Sequence, residues 1–161
     1  MKNNVREEHM IKNGMKAPDF RLPDDSGRSI SLADFLGKKV VLYFYPKDDT
    51  PGCTTEACAF RDAYDEILSR GAVVIGVSAD SVDSHAGFKS KYRLPFHLLA
   101  DQEKKAINAY GVWGEKTFMG KKTMGTLRTT FIIDEQGTVI GVFPDVSPKD
   151  HAREVLAALQ T

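Results

Sequence analysis

The run Val40-Val41-Leu42-Tyr43-Phe44-Tyr45-Pro46-Lys47-Asp48-Asp49-Thr50-Pro51-Gly52-Cys53-Thr54-Thr55-Glu56-Ala57-Cys58 changes periodicity in its middle. Its first six residues are almost continuously apolar and β-favouring, which predicts a strand buried on both faces. Beyond the loop, Ala57, Phe60, Ala63, Tyr64, Ile67 and Leu68 recur at three- and four-residue intervals. That spacing predicts an amphipathic helix. Pro51-Gly52 opens it, so Cys53 falls in its first turn. Cys53 and Cys58 are the only cysteines in the chain.

Working outward, the same alternation repeats. The predicted helix stops at Ser69-Arg70-Gly71, and Ala72–Ser78 is a second buried strand. Ser81–Ser84 opens a helix through Tyr92, Phe96–Ala100 gives a third short strand, and Asp101 caps a helix ending at Tyr110-Gly111. Residues 111–126, with no usable period, read as a long surface loop. Thr129–Asp134 and Thr138–Phe143 flank Glu135-Gln136-Gly137 as a hairpin. Ser147-Pro148 starts a last helix. Upstream, Ala17–Pro23 reads as a short edge strand and Ser29–Leu32 pairs back across Asp24–Gly27, with Ser31 and Asp34 forming a capping box. Residues 1–14 read as a loose leader, with Met10 and Ile11 available for light packing. The order implies an α/β fold: a mixed sheet with a parallel centre, helices on both faces and an antiparallel hairpin at one edge. No linker or repeat divides residues 1–161, so one domain is expected.

Bulk properties narrow the function. The 22 basic and 22 acidic side chains cancel, so no long-range field points to nucleic acid or an anionic membrane. No segment reaches the roughly 20 apolar residues of a membrane span, and Met1–His9 lacks the apolar centre of a secretory signal. Two cysteines make no disulfide scaffold. A cytoplasmic protein is expected, with thiols reduced at rest. The four histidines, His9, His85, His97 and His151, show no ligand spacing, so neither a metal nor a cofactor is expected. Asp48-Asp49 reads as a turn-forming pair.

A cysteine taken at random is more often a small buried hydrophobe than a catalyst. Cys53 differs by its place: unpaired N–H groups and the positive dipole end of a helix favour a thiolate there. Five residues of intact helix set two Cα atoms about 8–9 Å apart, whereas a disulfide needs them within about 7 Å. Cys53 and Cys58 can therefore bond only if the first turns unwind. The β-branched Thr54 and Thr55 make that unwinding inexpensive.

The motif Pro46-x-x-x-Thr50-x-x-Cys53 resembles the active-site motif of the peroxiredoxins. The wider Tyr45–Cys58 segment, with Tyr110–Lys116 and Arg128–Asp134, is similar to their bacterioferritin comigratory protein, or PrxQ, subfamily. The likeness runs from about Ala17 to the last helix. It implies a thioredoxin-like fold and reduction of hydrogen peroxide or organic hydroperoxides, an antioxidant activity. Cys53 would be the peroxidatic cysteine and Cys58 the resolving one, bonding within one chain. Thr50 would hold the peroxide, Arg128 would favour the thiolate and donate to the reacting oxygens, Pro46 would wall off water, and Glu56 would orient Arg128. Taken singly, each has a blander reading: Pro46 a strand end, Thr50 a turn, Arg128 a solvated charge, Glu56 a first-turn acid. The resemblance further implies a monomer recycled by thioredoxin or a similar dithiol. Two other functions fit less well. A thiol–disulfide oxidoreductase wants its sulfurs closer together, and a redox sensor or holdase wants apolar surface that the sequence does not offer.

Overall fold

The structure, a computed structural model, describes residues 10–159. Its strands are β1 (Arg21–Pro23), β2 (Ser29–Ser31), β3 (Lys39–Phe44), β4 (Ala72–Ser78), β5 (His97–Ala100), β6 (Trp113–Phe118), β7 (Lys121–Thr126), β8 (Thr129–Ile133) and β9 (Val139–Phe143). Its helices are α1 (Pro51–Ser69), α2 (Val82–Tyr92), α3 (Lys105–Ala109) and α4 (His151–Ala158), with a 3-10 turn over Leu32–Phe35. Five strands form the main sheet in the order β5-β4-β3-β8-β9. β3 runs parallel to β4, and β4 to β5, while β8 returns antiparallel to β3 and pairs with β9 at the edge. This is a thioredoxin-like arrangement, with β3 in the centre.

That position explains why β3 reads as unbroken apolar sequence. Val40, Leu42 and Phe44 pack on one face with Ile75, Val77, Leu99, Phe131, Ile133 and Tyr110, which follows α3. Val41, Tyr43 and Tyr45 pack on the other with Ala57, Phe60 and Ile67 of α1, Phe88 of α2 and Val155 of α4. A strand covered on both sides has no polar face to show. Tyr43 fills the centre of the second face, its ring 4.9 Å from Phe60 and 5.3 Å from Tyr45. Room for it comes from Gly76, where a methyl group would sit 2.9 Å from the Tyr43 ring.

Helix α1 begins where Pro51 supplies a first-turn residue without an N–H and Thr50 takes the extended cap conformation (φ −100°, ψ 157°). It ends at Arg70, and Gly71 follows in the left-handed region (φ 77°). Ser31 and Asp34 behave as expected: the Ser31 N–H donates to Asp34 Oδ2 at 2.9 Å.

Four expectations need correction, the first being the last helix, which starts at His151 with Asp150 at its cap and not at Ser147-Pro148. Residues 111–126 are not a loop: β6 and β7 form a two-stranded antiparallel ribbon from Trp113↔Thr126 to Phe118↔Lys121. Met119 (φ 51°) and Gly120 (φ 81°) both occupy the left-handed region, the requirement of a tight type I′ hairpin turn. The leader assigned to residues 1–14 is held from Met10 onward. Met10 is buried in the core, the Ile11 N–H donates to Tyr110 O (3.2 Å) and the Gly14 N–H to Val139 O (2.8 Å). Residues 1–9 lie outside the described residues. Finally, α3 starts at Lys105, because Lys104 sits at φ 60°. Lys104 holds the N-cap position, and the Asp101 carboxylate accepts from the N–H groups of Lys105 (2.9 Å) and Ile107 (2.8 Å).

Candidate active site

The end of β3, the start of α1 and the start of β8 meet at one sulfur. Cys53 is the third residue of α1, in the first turn, where backbone N–H groups have no intrahelical acceptor. Cys53 is almost wholly buried, 1% exposed, in the same core cluster as Tyr43, Tyr45 and Ala57. Arg128, just before β8, reaches across from the sheet. Its Nη2 donates to Cys53 Sγ at 3.3 Å and its Nη1 to Glu56 Oε1 at 2.8 Å. One planar fork therefore serves two acceptors on the same helix. Gly52 makes the approach possible, since a Cβ there would lie 3.1 Å from Nη2.

Charge within this cluster is unevenly balanced. Burial works against the cation of Arg128, but Cys53 and Glu56 together outweigh it and hold the guanidinium protonated. Burial pushes the Glu56 carboxyl up to about 7, opposed by the charge and hydrogen bond of Arg128. Its second oxygen, Oε2, is buried without a partner, and so is the hydroxyl of Tyr43. A carboxyl with one orphaned oxygen in an apolar wall is expected to favour its neutral form.

This predicts a linked stability change. Folded Glu56 binds its proton up to about pH 7, against an ordinary value of 4.5. The folded state therefore holds more protons than the unfolded chain between those values. The associated stability is complete below pH 4.5 and is lost as pH rises through about 7. Urea unfolding across that window should show wild type losing stability with rising pH more steeply than Glu56→Gln. Equal slopes would contradict the assignment.

The other expected site residues are placed less directly. Thr50 caps α1 three residues before Cys53, and its hydroxyl donates to Lys47 O at 2.8 Å, which leaves its oxygen free to accept. Pro46 is half-buried immediately after β3 and Tyr45. Cys58 stands further along α1, half-buried; both thiols are free and the helix between them is unbroken. Cys53, Glu56 and Arg128 are thus in contact, while Cys58 is not yet in bonding position.

Lys116 of β6 was not foreseen. It is half-buried, and its ammonium is pushed down by burial first and by the charge of Arg128 second, with Cys53 drawing it the other way. The charge of Lys116 is thus coupled to those of Arg128 and Cys53. Only the hairpin's pairing could have revealed it, and the two-residue Met119-Gly120 turn was the available signal.

Two clusters hold ligand-type side chains, Asp24–Asp25–His97 and Asp48–Asp80–His85. In each the carboxylates are already engaged by protein donors. Asp24 accepts from Ser26 and Arg28 and lies 3.1 Å from His97 Nδ1, and Asp48 accepts from Tyr45 and Ser84 and lies 2.7 Å from His85 Nδ1. Among the described residues no helix is long and apolar enough to cross a membrane.

Comparison with known proteins meets this geometry from a different direction. The AhpC/TSA family model matches residues 13–142. A putative peroxiredoxin bcp of Coxiella burnetii is 52% identical over 149 residues, covering 92% of this chain and 99% of its own. Peroxiredoxin Bcp of Bacillus subtilis is 50% identical over 150 residues, covering 93% and 96%. Among solved structures, the bacterioferritin comigratory protein of Xanthomonas campestris, described for its alkyl peroxide reduction activity, superimposes with a TM-score of 0.85 at 37% identity, covering 92% of this chain and 97% of that one.

Proposed function

This chain belongs to the AhpC/TSA family and is a thiol-based peroxidase of the Bcp/PrxQ peroxiredoxins, and from that premise we propose how its own residues divide the work. Cys53 attacks one oxygen of a peroxide as the thiolate. The O–O bond breaks, the departing oxygen takes a proton and leaves as water or an alcohol, and the sulfur is left as a sulfenic acid. Arg128 steadies the thiolate and donates to the oxygens as charge moves onto the leaving one. Thr50 orients the peroxide, Pro46 excludes water from the sulfur, and Glu56 holds the guanidinium in place. Support for this division is the Arg128 fork, which touches both Cys53 and Glu56.

Cys58 then attacks the sulfenic sulfur once the first turns of α1 unwind. An S–S bond forms and water is lost. An external dithiol, thioredoxin or a protein like it, reduces that bond back to two thiols by exchange. The cycle needs no second chain, in keeping with the monomer that the family resemblance implies, and the protein is placed in the cytoplasm, where thiols are kept reduced. Hydrogen peroxide and alkyl hydroperoxides are the proposed substrates.

The test is peroxide-dependent NADPH consumption coupled through thioredoxin and thioredoxin reductase. Wild type should turn over, and mass spectrometry after one equivalent of peroxide should find a bridge between residues 53 and 58. Cys58→Ser should oxidise once at the wild-type rate and then stall or overoxidise. Sustained wild-type turnover by Cys58→Ser, or a bridge between two chains, would overturn the resolving step.

A further inference from the structure

Behind the catalytic loop lies a buried polar network that the chemistry above does not use. Asp48 is 7% exposed and His85 0%. Asp48 Oδ1 accepts from the Tyr45 hydroxyl at 2.6 Å, and Oδ2 accepts from the Ser84 hydroxyl at 2.7 Å. His85 Nδ1 lies 2.7 Å from the same Oδ2, while its Nε2 lies 2.9 Å from the carbonyl oxygen of Leu99 in β5. A carbonyl only accepts, so Nε2 carries a hydrogen and the ring is fixed in orientation. The Asp48 N–H in turn donates to Asp80 Oδ2 at 2.9 Å, which also accepts from the Ser78 hydroxyl at 2.7 Å. Tyr45, just beyond β3, and Ser84 and His85 of α2 therefore converge on one loop aspartate, with β4 and β5 behind it through Asp80 and His85. The next residue, Asp49, is held in the left-handed region (φ 57°), uncommon for a side-chain-bearing residue. Its carboxylate accepts from Lys91 Nζ (2.8 Å) and the Tyr92 hydroxyl (2.9 Å), both at the end of α2. That second attachment is exposed and contributes little, so the buried one governs.

Thr50, the cap of α1, follows directly, and Cys53 is three residues further on. We propose that Asp48 and His85 are positioning residues for Cys53: their buried contact ties the loop before α1 to α2, and so confines the unwinding that joins Cys53 to Cys58 to the chain beyond Asp49. The inference rests on Cys53 being the attacking sulfur. While the tie holds, Thr50 and the first turn of α1 are presented to peroxide in one geometry. When α1 opens, the tie is the fixed end from which the strand of loop swings and to which it returns.

Loosening the tie should affect the two chemical steps differently. In single-turnover stopped-flow with hydrogen peroxide, His85→Ala should form the Cys53 sulfenic acid about 10- to 100-fold more slowly, the scale of a misplaced reacting group. Its subsequent disulfide closure should be as fast as wild type or faster. His85→Asn, which keeps an N–H toward Asp48, should recover part of the loss, and Ser84→Ala, which removes one donor only, should lie between. A control of lowered stability, Val139→Ala in the opposite core cluster, should retain wild-type rates in both steps. A folded His85→Ala with wild-type sulfenic acid formation would overturn the proposal, as would equal slowing in Val139→Ala. Amide hydrogen exchange over residues 46–50 reads the tie without any chemistry: it should be faster in His85→Ala than in Val139→Ala, and equal exchange would refute it. If wild type exchanged as expected yet left Cys53 reduced under peroxide, the functional reading would fall and the tie would stand.

Discussion

Cys53→Ser should abolish peroxide turnover while leaving the fold intact. The change exchanges sulfur for oxygen in a side chain that is 1% exposed, so little volume is lost and no cavity of consequence opens. Every donor aimed at the sulfur remains: Arg128 Nη2 is still within reach, and the first-turn N–H groups of α1 are unchanged. What disappears is the nucleophile. A thiolate attacks an O–O bond, whereas an alcohol stays protonated near neutral pH and does not. Thioredoxin-coupled NADPH consumption should fall to the blank, and the remaining Cys58 should react only at the rate of an ordinary half-buried thiol. Turnover above that blank would mean that the attacking sulfur had been misidentified.

Arg128→Met should slow the first chemical step by about 10²–10³-fold, the usual cost of deleting one donor aimed at developing charge. Methionine retains much of the arginine's apolar stem, so packing against α1 is largely kept. Its effect on the helix is chemical in two places. Cys53 loses the donor now at 3.3 Å, and Glu56 loses the cation now at 2.8 Å. Glu56 escapes the second loss by keeping its proton, so the variant should fold. Arg128→Lys tests the fork itself: an ammonium restores charge but cannot span both acceptors in the planar geometry, and it should recover only part of the rate. The check is stopped-flow oxidation of the reduced protein at several peroxide concentrations. A second-order rate within about threefold of wild type in Arg128→Met would remove the arginine from the mechanism.

How much of this was visible in the linear chain depends on where each signal lives. The β3 run and the spacing of Ala57, Phe60, Ala63, Tyr64, Ile67 and Leu68 are local patterns, and the strand, the helix and the position of Cys53 follow from them. The pairing of Arg128 with Cys53, 75 residues apart, came from family resemblance and not from periodicity. The β6–β7 ribbon was missed for a physical reason. Lys121, Lys122, Thr123 and Met124 are all exposed, so neither face is selected for apolarity and no alternation develops. The Asp48 network was missed because its members are ordinary in isolation. Asp48 resembles a turn residue and His85 a stray histidine; only folding brings them together across 37 positions. Lys116 was hidden for both reasons at once.

Because β3 is packed on both sides, the molecule has two interiors separated by one layer of backbone. Helix α1 leans on only one of them. In the proposed resolving step, its opening turns would draw Cys53 and Ala57 from that side alone, and Val40, Leu42, Phe44 and their neighbours behind the sheet would stay where they are. The sheet works as a bulkhead: one compartment can be flooded during each round of chemistry while the other keeps the hull afloat.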